Sequence, residues 1–445
     1  MIFSAKSQID HSIYGVMFSG LFFTLAAVLL SGCQTLSFTK ENPEILVWEG
    51  RADTVESHVF STADQREVVG GLATVESRQN DTLSDLARHF GLGFTDIASA
   101  NPKLDAWVLA ANQSVLLPLQ FILPESPRNG IVLNLANMRM FYYPKGQERV
   151  LTYPVGIGRD GWNTPLGATK IVAKKANPAW TVPESIHREH QLLGDPLPKV
   201  IPSGPDNPLG YYAMPLGFSG YLIHGTNKPY GIGMQVSHGC VQLYPEDVEM
   251  LFGQVNVGTD VRIVHQPYLA GWDEGVLYVE AHQPLEKWAK QTKQLQKALR
   301  NKLEKLAAEK SVAVDWSRVD EVLQRADGVP TPILQDSLDV SALASQALKI
   351  QRPQQLYGQP AVHELTEADW SVVTASFTDE TDAQKLAAML NHQGPQIPAR
   401  KVEKDGVFKV VAGPFKNKKE TNLAAKRIQS DFDMEVTTVK PQVNH

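Results

Sequence analysis

The chain has 445 residues, a formal net charge of −6 and two cysteines, with a pI near 6.1. That length accommodates about three domains of ordinary size. The mildly acidic balance gives no sign of nucleic-acid binding, and two cysteines cannot build a disulfide framework.

Residues 15–30, GVMFSGLFFTLAAVLL, form an apolar run too short and too interrupted to span a membrane. Lys6 is the only fixed positive charge ahead of it, and the run ends in Leu30-Ser31-Gly32-Cys33. Small residues before a cysteine at the end of an apolar segment resemble the lipobox of bacterial lipoproteins. The resemblance implies that residues 1–33 are a signal peptide and that Cys33 carries the lipid. Gln34 after it, by that family's sorting rule, implies an outer-membrane anchor and a periplasmic protein. An ordinary signal peptide or a simple anchor helix is the alternative. Residues 34–70 are polar and without period, and read as a tether.

Residues 71–120 behave differently. A β-branched piece at 73–75 precedes Asn80-Asp81-Thr82-Leu83, where Asn80 or Asp81 can cap a helix. Leu83, Leu86, Ala87 and Phe90 recur at helical spacing, and Gly91 stops them. A second helix fits 95–100, and 115–118 a closing strand. This βααβ order, with NDTL and IASANP, resembles a LysM module, a family that binds N-acetylglucosamine-containing glycans such as peptidoglycan.

Residues 128–265 are rich in β-branched and aromatic residues broken by turn signals, with strands expected at 131–135, 140–143, 150–155, 169–173 and 261–264. Helical periods are few before Pro245, so the domain is mainly β. The Pro- and Gly-rich section 178–215 is too long for a plain connector, and such loops are usually functional.

The chemistry concentrates in residues 223–248, IHGTNKPYGIGMQVSHGCVQLYPEDV. Two His-Gly pairs, His224-Gly225 and His238-Gly239, flank a loop, and Cys240 follows the second. A thiol is nucleophilic as thiolate, and a nearby imidazole is the usual way to form it near neutral pH. Glycines let the backbone approach a substrate and aim N–H groups at an oxyanion, here from Gly239 and Cys240. The same residues fit a buried structural cysteine, or a metal site of His224, His238 and Cys240, although no second cysteine or carboxylate cluster completes a tetrahedral set.

HG, then SHGCV and PEDV, resemble the signature of YkuD-type L,D-transpeptidases of the ErfK-like subgroup; RNGIVLNLANMRMFYYP, YPVGIG, TPLG and GPDNPLG continue the likeness. The resemblance implies Cys240 as nucleophile, His224 as general base, His238 as a residue shaping the site, and an oxyanion hole from the Gly239 and Cys240 amides. Tyr221, Gly225, Ser237 and Gln242 are the expected substrate-binding residues. Gln242 stands where the family usually has Arg; an amide can hydrogen-bond a carboxylate but carries no charge. The implied reaction is acyl transfer on a peptidoglycan stem tetrapeptide. Its acceptor is the amine of another stem, giving a 3–3 cross-link, or the lysine of a Braun-type lipoprotein. With water the site would be an L,D-carboxypeptidase, and a lipoprotein-releasing hydrolase or an inactive glycan-binding scaffold are the rival readings. No cofactor and no metal are expected.

Residues 266–310 hold one strand near 276–280 and an amphipathic helix expected to pack on the catalytic domain or act as a spacer. Residues 311–365, rich in Gln, Pro and Asp, read as linker with one helix near 340–348. Residues 366–441 show βαββαβ order, a ferredoxin-like split unit. With FKVVAGPFKNKKETNLAAKRI they resemble a SPOR domain, whose family binds glycan strands stripped of stem peptides. A chain ending near Lys310 is therefore expected to keep its chemistry.

Overall fold

The structure, a computed structural model, describes residues 58–192, 196–335 and 337–441. The apolar run, Cys33 and the tether up to residue 57 lie outside the described residues. The central element is a six-stranded sheet. Its strands run in the order His58–Ser61, Arg149–Pro154, Arg139–Tyr143, Gly130–Asn134, Asp260–Val264 and Gly167–Lys170. The first comes from the stretch read as tether, pairing antiparallel with His58 opposite Thr152. A second such strand, Val68–Gly70, pairs with Gln120–Ile122. Both segments are short and their apolar residues few, so neither gave a periodic signal.

The continuous apolar character of IVLNL and MRMFYY now has a cause: the sheet is covered on both faces. Ile131, Leu133, Met140 and Leu151 point into a catalytic core with Met214, Ile223, Val241, Leu243, Val248 and Leu251. Val132, Phe141, Tyr143 and Val150 point the other way, into one core with Leu83, Leu86, Phe90, Ile97 and Val115 of the LysM module. The module thus shares its hydrophobic interior with the catalytic sheet.

In that module Ala73–Glu76 pairs antiparallel with Ser114–Leu117 beside helices α1 (Leu83–His89) and α2 (Phe94–Ala100). The α1 cap is Thr82, one residue later than expected: its side chain accepts from the Asp85 N–H, and Asp85 accepts from the Thr82 N–H. The long Pro- and Gly-rich section holds helix α3 (Glu184–Leu192), and helix α4 (Pro245–Gln254) opens on Pro245, the residue that a first helical turn favours.

The amphipathic stretch divides: Leu285 and Trp288 pack on the catalytic core as expected, whereas helix α5 (Thr292–Lys310) turns away to another partner. It packs with α6 (Trp316–Arg325) on the hairpin Tyr268–Asp273/Val276–Ala281, burying Leu299 and Leu303 against Leu277, Val279, Val319, Val322 and Ile333. The linker reading of 311–365 is likewise overturned. Asp315 caps α6, helix α7 (Val340–Gln346) follows, and Leu348–Ile350 adds a parallel third strand to the LysM sheet beside Ala73–Glu76. Just after it, Arg352 pairs with Asp81 at 2.6 and 2.7 Å, both buried. Composition concealed this because Val319, Val322 and Leu323 make only a narrow apolar stripe amid Gln and Asp.

The SPOR domain has the expected split βαββαβ order. Its strands lie Ala399–Lys404, Val407–Phe415, Trp370–Phe377, Val436–Val439, under helices α8 (Glu380–Asn391) and α9 (Lys418–Phe432). Asp405 and Gly406, both at positive φ, turn its hairpin. The domain is not a free module. His392 lies buried with Nε2 2.9 Å from Asp85 Oδ1 of α1, and Lys385 pairs with Asp105.

Candidate active site

His224 ends the strand Leu222–His224, which pairs antiparallel with Tyr212–Pro215 and parallel with Val241–Gln242. The parallel register sets His224 opposite Gln242 and Ile223 opposite Val241. Continued one residue back, it puts Cys240 level with Leu222, about 7 Å short of His224 along the neighbouring strand. Sequence spacing of 16 residues is thereby reduced to adjacent strands of one small sheet.

The turn before Cys240 is stapled by hydroxyls. Ser237 Oγ accepts from the Gly239 N–H (3.1 Å) and donates to the Cys240 carbonyl (2.6 Å), while Thr164 Oγ1 donates to the Gly239 carbonyl (2.8 Å) and accepts from the Gly158 N–H. Gly239 has φ +102, and a Cβ there would meet Tyr221 Cε1 at 2.8 Å. No side chain fits that place. The Gly239 amide, expected to face an oxyanion, is thus already engaged by Ser237, whose hydroxyl reaches back to its own backbone. Ser237 holds the loop in this state, and Tyr221 lies over Gly239.

The electrostatics favour a neutral pair. His224 is 3% exposed, and burial lowers its pKa to about 4 against the carbonyls of Gly225 and Leu209, which favour protonation. Nδ1 lies 2.6 Å from the Gly225 oxygen, which only accepts, so Nδ1 carries the proton and Nε2 is the basic nitrogen. Burial also pushes the half-buried Cys240 thiol up, against the Leu222 N–H. Both groups thus favour their neutral forms, thiol and imidazole, as the expected role of His224 as a general base requires. Cys240 is free, with Sγ 3.8 Å from the Gly220 carbonyl.

Gly225 sits in a tight place: a Cβ would come 3.0 Å from Val248 of α4 and 3.4 Å from the Leu209 carbonyl. Gln242 exchanges both backbone hydrogen bonds with Gly156 at 2.8 Å, its side chain lying against that glycine. His238 Nε2 lies 2.7 Å from Glu189 Oε2 and 3.0 Å from Arg159 Nη2, and Arg159 also pairs with Glu189. Trp162 meets the His238 ring edge-on at 4.9 Å. Arg159, Trp162, Thr164 and Glu189 were missed from sequence as individuals. Thr164 opens the TPLG segment and Glu189 lies in the 178–215 section, and nothing in either singles out a side chain. Among the described residues no group of three His, Cys, Asp or Glu side chains is arranged to hold a metal ion.

The loop between the two histidines is gripped from both sides. Phe94 and Thr95 of α2 bond the Ile232 and Gly233 carbonyls, and Gly93 touches Gly233 too closely for either to carry a Cβ. On the other side the Tyr230 ring meets His392 edge-on at 4.4 Å, and Gly394 abuts Asn227 and Lys228. Arg88 of α1 adds a bidentate pair with Glu246 of α4 at 2.8 and 2.9 Å.

Comparison with known proteins agrees with this architecture. Residues 128–263 match the L,D-transpeptidase catalytic domain, 78–118 the LysM domain and 366–436 the SPOR domain. The chain is 42% identical over 214 residues to "Probable L,D-transpeptidase YbiS" of Escherichia coli K12, covering 48% of this chain and 70% of that protein. It is 38% identical over 277 residues to "Probable L,D-transpeptidase ErfK/SrfK" of Salmonella typhimurium LT2, covering 60% and 87%. With the His224–Cys240 sheet built as described and relatives aligned over most of their length, the chain belongs to the L,D-transpeptidase family.

Proposed function

We propose that this protein transfers the acyl group of a peptidoglycan stem tetrapeptide through a thioester on Cys240. The observation that carries this is the placement of a free thiol between the Gly239 turn and the strand Val241–Gln242, which pairs with the strand ending in the buried His224 imidazole. Cys240 Sγ attacks the carbonyl of the third stem residue as its proton passes to His224. Because both groups rest neutral, proton loss accompanies attack, as general-base catalysis requires. The Cys240 N–H, with the Gly239 N–H once Ser237 releases it, faces the developing oxyanion. His224 then returns the proton to the departing D-alanine amine. An amine acceptor, on a second stem or on a lipoprotein lysine, resolves the thioester.

Peptidoglycan is the partner that all three domains share. A cleft of about 420 Å³ between the LysM module and the SPOR domain, lined by the side chains of Asn80, Gln359 and Gln384 among others, supports glycan contact, since amides both donate and accept as sugar hydroxyls do. Such a chain works in the periplasm, and Cys33 would hold it to the outer membrane by lipid.

Intact-mass measurement after incubation with a disaccharide tetrapeptide tests the reading. Wild type should gain the acyl mass less D-alanine, and Cys240→Ala should gain nothing; equal labelling of both would refute it. Muropeptide analysis of a deletion strain separates the rivals. Loss of 3–3 or lipoprotein-bearing species means transferase, their accumulation means hydrolase, and no change means scaffold.

A further inference from the structure

The Arg159–Glu189–His238 cluster has a feature that loop support alone does not require. One Glu189 oxygen is bonded to the Arg159 guanidinium and the other to His238 Nε2, so the carboxylate is gripped as a ligand would be. Yet the fork is only partly used, because the Arg159 Nε–H is buried with no acceptor. A free carboxylate could take Nε and Nη2 together, the geometry that makes guanidinium recognition strong. The cradle also moves with the nucleophile loop: the Arg159 N–H donates to the Ser237 carbonyl at 3.0 Å, and Gly158 packs directly on Gly239. Glu189, by contrast, rides on α3, whose only buried residue is Ile186. Its contacts with Arg159 and His238 are partly exposed, the class of ion pair that holds weakly.

We propose that Arg159 and His238 form a carboxylate-binding subsite, occupied in the resting chain by Glu189 and taken over by a carboxylate of the stem peptide. Arg159 thereby supplies the fixed positive charge that Gln242 cannot. The inference rests on the acyl-transfer reading of Cys240 and names the substrate group that the site selects. Binding and chemistry are coupled because the exchange frees α3 from the loop that carries His238, Gly239 and Cys240.

The test uses the full chain and a disaccharide tetrapeptide, with acylation followed by intact mass over a range of substrate concentrations. Arg159→Gln should raise the KM for acylation by about tenfold or more, beyond any fall in the maximal rate. Glu189→Gln, which removes the competing charge from a partly exposed position, should move KM the opposite way, downwards by several-fold. With the stem carboxylates amidated, the Arg159→Gln effect should vanish. A KM that rises in both variants would make Glu189 a support and overturn the proposal, as would an unchanged KM in Arg159→Gln. Calorimetric titration of the same tetrapeptide into Cys240→Ala, with and without Arg159→Gln, reads the subsite without chemistry. Weaker binding in the double variant supports it even if Cys240 proves not to be the nucleophile, and equal binding refutes it even if Cys240 is.

Discussion

Arg352→Ala probes whether the stretch from 311 to 365 is part of the folded body or a linker. The guanidinium is 6% exposed and meets Asp81, itself 1% exposed, through two nitrogens. Its removal leaves Asp81 with the Arg78 N–H at 2.7 Å and the Gln359 amide at 3.3 Å, neither of them charged. Stranding one partner of a buried pair costs about 3–5 kcal/mol. Because the chain has several domains, a single melting temperature is not the right readout. Hydrogen exchange at Thr74 and Val75, in the strand that Leu348–Ile350 extends, reads the local opening. It should accelerate on the order of 10²- to 10³-fold in Arg352→Ala. Replacing Asp81 by Asn in the same background removes the stranded charge and should recover much of the loss. A chain ending near Lys310 lacks the strand, the ion pair and α6, so it should show the same loss of protection and acylate poorly. Unchanged exchange in Arg352→Ala would mean that 348–352 is a linker resting on the surface, and the reasoning would fail.

Other perturbations have equally definite outcomes. His224 stays neutral when folded down to about pH 4, whereas an unfolded histidine takes up a proton below about 6.5, so its share of stability is complete above 6.5 and lost as pH falls towards 4. From pH 7 to 5 that share is about 2 kcal/mol, and urea unfolding of His224→Gln should show a correspondingly flatter acid limb. A Cys240 thiol raised by burial holds less than about 3% thiolate at pH 7. Its alkylation by iodoacetamide should climb through pH 7 to 9, and a plateau below pH 7 would reveal an ion pair instead. Gly239→Ala meets both a left-handed φ and the Tyr221 ring, a strain of about 1–3 kcal/mol; acyl-enzyme formation should fall at least tenfold while the far-UV spectrum is kept.

The parts legible in the sequence were those where one short pattern decides the outcome. The strand–His224 and SHGC loop–Cys240 sequence, the Pro245 helix start and the Asp405-Gly406 hairpin each carry their own local signal. What escaped was contributed by distant partners. His58–Ser61 is a strand because Arg149–Pro154 offers an edge, and Leu348–Ile350 because Ala73–Glu76 does; neither segment announces itself. Glu189 became part of the site through a helix inside a Pro-rich section, where composition marks a loop and says nothing of which side chain turns inward. The pairing of a histidine base with a thiol was visible in sequence, but the burial that favours the neutral form of both groups was not.

The grip on the loop between His224 and His238 sets an order of assembly. Thr82 meets His392 across 310 positions and Asp81 meets Arg352 across 271, so the N-terminal module is completed by residues near the opposite end of the chain. Contacts of such separation must overcome the entropy of closing a long segment before they return any stability, and they form late. The central sheet can pair as soon as its own strands exist, but Tyr230 and Asn227 find their neighbours only after the last hundred residues have folded. A growing or partly refolded chain would thus have its thiol well before it has a finished loop to present substrate to it. Two of the loop's supports thus come from the far C-terminal end of the chain, and truncation there would leave Tyr230 and Asn227 without them.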